Sequence, residues 1–126
     1  PVFDAEYLRK TMKEKILYKV AVMDGKIISI ASADIDIDNL NAEVTDCVTY
    51  PEYRGMGILS TLLKSIETDM KSKGFYTLYS LSRAINPGIN IALKKQGYNY
   101  SGRLINNCNI CGGFEDMNIW VKTLRN

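Results

Sequence analysis

The segment YPEYRGMGILSTLL, residues 50–63, places two glycines, Gly55 and Gly57, at the mouth of an apolar helical pattern. Glycine costs about 1 kcal/mol relative to alanine inside a helix, so a helix entrance that holds two of them is shaped around bare backbone. Upstream, residues 42–50 (AEVTDCVTY) read as a strand that Pro51 ends. Downstream, Leu59, Leu62, Leu63, Ile66 and Met70 fall on one stripe of a helix from Ile58 to Lys73, and Gly74 stands at its C-cap. The first amides of a helix have no partner within it and carry roughly half a positive charge. Strand, glycine turn and helix in this order therefore form either an anion cradle, open to a pyrophosphate, or a turn that only tightens the join.

The rest of the chain surrounds this unit with short elements. Residues 4–13 read as a helix with Asp4 as cap. Residues 15–23 and 26–33 read as a hairpin around Asp24-Gly25. Residues 34–41 (DIDIDNLN) read as a polar loop, and residues 75–81 as a strand. Asn86-Pro87 pairs an N-cap with proline at the first helical position, opening a helix that Gly97 closes after Gln96. Two or three strands follow, over 98–104, 105–111 and 117–123. With 126 residues, and no repeat or linker, this predicts one domain over residues 1–126 of α/β (α+β) class with one central sheet.

Composition excludes several chemistries. Histidine is absent, which removes Ser-His and Cys-His nucleophiles and most zinc sites. The formal charge of +2 gives no electrostatic reason for nucleic acid. No apolar run approaches the roughly 20 residues of a membrane span. Three cysteines and no secretory signal favour a reducing cytoplasm. Cys108 and Cys111 have CxxC spacing, but the surrounding residues read as a strand or its turn. Asp34, Asp36 and Asp38 alternate as in a calcium loop, yet the sixth and twelfth positions are Asn39 and Thr45 where that loop needs glycine and glutamate. No metal site is expected. A dinucleotide fingerprint fails because Ser60 occupies its third glycine position and the next strand ends without an acid.

The stretch PEYRGMGI resembles motif A of the GNAT acyltransferases, Q/R-x-x-G-x-G/A, with Leu59 in place of the last small residue. NPGINIALKKQGY, residues 86–98, resembles the asparagine-led helix of that superfamily that ends in Gly-Phe/Tyr. Together with LINNCNICGGFEDMNIWVK, these blocks look like the beta-lysine N-acetyltransferases, which make the osmoprotectant N6-acetyl-beta-lysine. The resemblance implies a GNAT-like mixed, mostly antiparallel sheet flanked by helices. Its first strand and helix would be missing, the chain being the C-terminal acetyltransferase part of a longer protein. It implies acetyl-CoA as co-substrate and a small amine as acceptor, cytoplasmic location, and no call for nucleic acid or membrane; homodimer formation is allowed.

The residues implied follow the motifs. Cys47, Val48 and Thr49 would offer backbone partners to the pantetheine arm. Arg54, Gly55, Met56, Gly57, Ile58, Leu59 and Ser60 would hold the pyrophosphate, and Asn86 would hold the arm near the thioester. An alkylammonium with pKa near 10.4 is neutral in only about one part in 2,500 at pH 7, so the site must remove a proton. Glu43 takes the place of the family's glutamate base, with Asp46 as acceptor ligand or alternative base. Alternation puts Glu43 on one face with Thr45, Cys47 and Thr49, and Asp46 on the other. Leu93 stands where many members carry a tyrosine acid, which leaves Tyr98, Tyr100 or water to protonate the thiolate. Asn106, Asn107, Asn109, Glu115 and Asn118 are candidates to bind an acceptor with two amines and a carboxylate.

Overall fold

The computed structural model describes residues 15–110 and 113–124, with only the backbone at 106–110 and 113–114. The helix expected over 4–13 and the Cys108–Cys111 pair as a unit lie outside the described residues. The elements are β1 (Ile16–Met23), β2 (Lys26–Asp36), β3 (Asn41–Thr49), a 3-10 turn (Pro51–Tyr53), α1 (Ile58–Ser72), β4 (Thr77–Arg83), α2 (Pro87–Lys95), β5 (Asn99–Ile110) and β6 (Gly113–Thr123). The six strands form one sheet in the order β1-β2-β3-β4-β6-β5. Only β3 and β4 run parallel, with α1 as the crossover between them; the other pairs are antiparallel.

Local chemistry explains most boundaries. Asp24 (φ 53°) and Gly25 (φ 74°) both take left-handed conformations, which the two-residue turn of the β1–β2 hairpin demands. Asn86 caps α2 by accepting from the Ile89 amide, with Pro87 in the first turn. Two expectations are corrected. The run DIDIDNLN is not a loop throughout: β2 continues to Asp36, pairing Asp34 with Glu43 and Asp36 with Asn41. Its alternation of Asp and Ile is also strand period, and pairing with β3 decided the matter. The segments 98–104 and 105–111 are one strand, β5, whose interruptions are register shifts at Tyr100/Gly102 and Leu104/Cys108.

The core lies on the helix-covered face. Leu62, Leu63, Ile66 and Met70 of α1 and Ala92 and Leu93 of α2 join a single buried cluster with Ala31, Ala33, Ala42, Val44, Leu78 and Trp120 of the sheet. The three alanines under α1 let the helix sit close to β2 and β3. Burying each large aliphatic chain contributes roughly 1.5–3 kcal/mol. The opposite face of β3 and β4 carries Glu43, Thr45, Tyr79 and Arg83, none of them fully buried.

Candidate active site

The site begins where the sheet comes apart. β3 and β4 pair only at Asn41↔Thr77, Ala42↔Leu78 and Glu43↔Tyr79, although the strands run on to Thr49 and Arg83. One side chain closes the apex: Ser80 Oγ donates to the Val44 carbonyl oxygen at 2.9 Å, in a buried position. Beyond it β3 bends away. Asp46 holds φ at 46°, and the β2–β3 register slips by one residue, from Ser32↔Thr45 to Ile30↔Val48. This is a β-bulge, which bends and twists the strand that carries it.

The bulge changes which side chains share a face. Paired residues lie on the same side, so Ser29↔Thr49 and Ala33↔Val44 place Thr49 with Val44, toward the helices. Cys47, two residues before Thr49, packs on the core with them. The expectation that Cys47 and Thr49 share Glu43's face is therefore corrected. So is the expectation that Asp46 lies opposite Glu43. Ser32 Oγ donates to Asp46 Oδ2 at 3.3 Å, and Ser32 pairs with Thr45 on Glu43's face. Both candidate bases thus serve one face of the gap.

On the helix side, a cleft of about 730 Å³ runs from the glycine turn to the start of α2. Among the described residues, the backbone amides from Gly55 to Ser60 meet no acceptor, since the first turn bond is Thr61 N–H to the Gly57 carbonyl. Gly55 (φ 79°) and Gly57 (φ 75°) are both left-handed, and a Cβ added to either would meet nothing within 4 Å. The glycines therefore serve backbone conformation and leave open space in front of free donors. Those two observations fit a pyrophosphate. Leu59 leans on the core as well as lining the cleft. Arg54 Nε donates to the Thr49 carbonyl oxygen at 3.2 Å, which ties the turn to the end of β3. Cys47, Val48, Thr49, Ile58, Ser60 and Asn86 also line the cleft, whereas Met56 points to solvent, 61% exposed. Tyr53 and Lys95 line it too and went unread in the sequence. Lys95 shares an i, i+4, i+8 stripe with Pro87 and Ile91, a signal legible only once the cleft-facing side of α2 is known.

A second cavity adjoins the cleft at the sheet. Smaller, at about 160 Å³, it occupies the gap between β3 and β4 and shares Cys47, Asn86 and Ile89 with the larger one. Asp46, Ser80, Ser82, Arg83 and Met117 border it. Glu43 sits at the closed end of the gap, facing Asp34 of β2 and Tyr79 of β4. Partial burial and then the Asp34 charge raise its carboxyl above the ordinary value. Burial and then the Glu43 charge likewise raise the Tyr79 phenol. Burial, reinforced by Asp46, pushes the Cys47 thiol up to about 12, so it stays protonated and is a poor nucleophile.

The start of α2 is held by one asparagine. Asn90 Oδ1 accepts from Ser82 Oγ (2.6 Å), Asn118 Nδ2 (3.0 Å) and Trp120 Nε1 (2.8 Å). Asn90 Nδ2 donates to the carbonyls of Arg83 (3.0 Å) and Asn86 (2.6 Å). Asn118 therefore belongs to the anchor of α2 on the helix side, away from Glu115. Glu115 accepts from Arg83 Nη2 at 2.6 Å on the opposite face. The side chains of Asn106, Asn107 and Asn109 lie outside the description. Leu93 is fully buried in the core. Tyr98 and Tyr100 border neither cavity; the Tyr98 hydroxyl is buried without a partner among the described residues, and burial raises it.

A parallel pair that splays at a bulge, over a glycine cradle, now meets its relatives. A model of the Acetyltransferase (GNAT) family matches residues 2–98. The chain belongs to the GNAT acetyltransferase family. It is 45% identical over 124 residues to a beta-lysine N(6)-acetyltransferase of Methanosarcina mazei, covering 98% of this chain and 46% of that protein. It is 44% identical over 124 residues to the N-acetyltransferase YodP of Bacillus subtilis, covering 98% of this chain and 45% of that one. This GNAT chain thus spans about half the length of the curated relatives it matches. Among solved structures, the ribosomal-protein-S18-alanine N-acetyltransferase of Escherichia coli superposes with a TM-score of 0.82 at 20% identity, over 98% of this chain and 79% of that one. The microcin C7 self-immunity acetyltransferase MccE, solved with acetyl-CoA and AMP, gives 0.83 at 20% identity, over 94% of this chain and 66% of that one. These confirm the mixed, mostly antiparallel GNAT fold. No described helix is long and apolar enough to cross a membrane.

Proposed function

We propose that this chain is the acetyl-transferring part of an enzyme that moves an acetyl group from acetyl-CoA to a primary amine of a small molecule, with N6 of beta-lysine as the acceptor. The observation that carries it is the adjacency of two cavities that share Cys47, Asn86 and Ile89: one holds a cradle of free amides, and the other lies in the gap between β3 and β4 that Asp46 borders, with Glu43 at the closed end of that gap. The names of the relatives supply the amine.

The amides of Gly55–Ser60, with Arg54, would hold the pyrophosphate through charge-assisted bonds. Backbone groups of Cys47–Thr49, freed from pairing with β4, would take the pantetheine arm, and Asn86 would border its end. Acetyl-CoA supplies the activated acetyl group. Glu43 would take the proton that the acceptor ammonium must lose, with Asp46 as second acid on the same face. Neutralising an ammonium at pH 7 costs about 4–5 kcal/mol, and a carboxylate whose pKa is raised is a better base for it. Glu115 would lie at the far side of the acceptor site, and water would protonate the leaving thiolate.

Free-thiol release from acetyl-CoA, with and without beta-lysine, tests the reading on the full-length protein and on this chain. Acceptor-dependent release is expected. Release with spermidine and not with beta-lysine would reassign the acceptor. The burial of Leu93 where family members place a tyrosine favours one second reading, an acyl-CoA-binding module without turnover. Glu43→Gln separates the two, because an enzyme loses turnover and keeps acetyl-CoA affinity, whereas a binder has no turnover to lose.

A further inference from the structure

Arg83 ends β4 at the open mouth of the gap, and register fixes its face. Glu43↔Tyr79 puts Tyr79 on the side of the two acids, and Arg83, four residues on, shares that side. Besides its pairing with Met117, three bonds hold it. Nη2 donates to Glu115 Oε2 at 2.6 Å, and its carbonyl accepts from Asn90 Nδ2 and from the Asn86 amide, each at 3.0 Å. The side chain stays 44% exposed, against 15% for Glu115. One edge of the guanidinium is thus spent on orientation while the rest remains available. Asp46 lines the same small cavity, and among the described residues these two opposite charges do not pair with each other. An oriented arginine and a separate carboxylate lining one cavity complement a ligand that carries both signs.

We propose that Arg83 binds the carboxylate of the amino-acid acceptor and so sets the preference for it over a simple diamine or polyamine. The proposal rests on the reading of the gap as the acceptor site. Arginine suits the role because its planar fork matches a carboxylate in two parallel bonds, which lysine cannot do. Glu115 is a positioning residue here. Asp46 faces the amine end.

The test compares kcat/KM for beta-lysine with that for the diamine left when beta-lysine loses its carboxylate, using thiol release by the full-length protein. The unaltered protein should favour beta-lysine by about tenfold or more, the range for one charge-assisted pair. Arg83→Met should collapse that ratio toward unity, and Arg83→Lys should leave an intermediate one. Glu115→Gln should raise KM for beta-lysine more than it lowers kcat. A ratio unchanged in Arg83→Met, or an unaltered protein that prefers the diamine, overturns the proposal. Should Arg83→Met show no cooperative urea unfolding, that variant has lost its fold, and Arg83→Lys decides. Should neither acceptor release thiol, the acetyl-transfer reading fails. Calorimetric binding of beta-lysine to the CoA complex then decides the subsite: binding lost in Arg83→Met and weakened in Arg83→Lys upholds it, and no binding, or binding unchanged in both variants, overturns it.

Discussion

Ser80 Oγ meets the Val44 carbonyl at 2.9 Å one residue beyond the last backbone pair of β3 and β4, so a side chain takes over where the ladder stops. The hydroxyl satisfies a buried carbonyl that the splay would otherwise strand. Ser80→Ala is expected to cost about 1–3 kcal/mol, the penalty of a buried acceptor left without a donor. Ser72→Ala removes an exposed bond to the Asp69 carbonyl and should stay within about 0.5 kcal/mol. Urea unfolding of both variants checks the difference. A Ser80→Ala protein as stable as the unaltered one would show that the apex is held by packing alone.

Gly57 separates backbone strain from ligand access. Gly57→Val places a β-branched side chain at φ 75° and fills the open space before the free amides. Acetyl-CoA affinity is expected to fall at least about tenfold through loss of phosphate contacts. Gly25→Ala supplies the control: its φ of 74° is nearly the same, but it lies in the β1–β2 turn, away from the cleft. That variant should lose about 1–2 kcal/mol of stability and bind acetyl-CoA normally. Unchanged affinity in Gly57→Val would remove the cradle from the site.

Asn90 ties α2 to β4 and β6, and its loss strands three donors at once: Ser82 Oγ, Asn118 Nδ2 and the Trp120 indole. Asn90→Ala is expected to cost about 2–4 kcal/mol, the scale of a broken buried network. Trp120 is the only tryptophan, so its fluorescence reports the event directly. A shifted emission, with weaker acetyl-CoA binding as the Asn86 end of α2 loosens, is the expected pair of results. An unshifted emission would mean that packing of Leu93 and Ala92 alone seats the helix.

What was legible in the sequence was what a local conformation forces on residue choice. Gly55 and Gly57 stand at left-handed positions, Asn86-Pro87 caps a helix, and Asp24-Gly25 makes a turn; each constraint acts within a few residues. The bulge at Asp46 was not legible, because aspartate at φ 46° carries no glycine to announce it. That single residue moved Cys47 and Thr49 to the helix face and brought Asp46 to Glu43's side. Asn90 was hidden for another reason. Its partners Asn118 and Trp120 lie 28 and 30 residues away, and only the β4–β6 pairing brings them beneath α2. Arg83 acquires meaning only once strand register puts it on the cavity that Asp46 also lines.

Glu43 offers a test in pH. Its carboxyl is raised first by partial burial and then by Asp34, so the folded protein holds that proton more tightly than the unfolded chain does. Stability therefore falls as pH rises above the unfolded value of about 4.5, and the ionised group is a standing cost at neutral pH. Glu43→Gln should raise stability at pH 7, and the gain should vanish below about pH 4, where Glu43 is protonated in both states. Turnover should respond oppositely. The same variant loses the base and should slow acetyl transfer by about a hundredfold or more, with acetyl-CoA affinity kept. The acidic limb of the rate profile should have its midpoint above 4.5 and move lower in Asp34→Asn, which removes the neighbouring charge. Paired urea titrations and pH–rate profiles check both halves. A limb that stays fixed in Asp34→Asn and persists in Glu43→Gln would pass the role of base to Asp46.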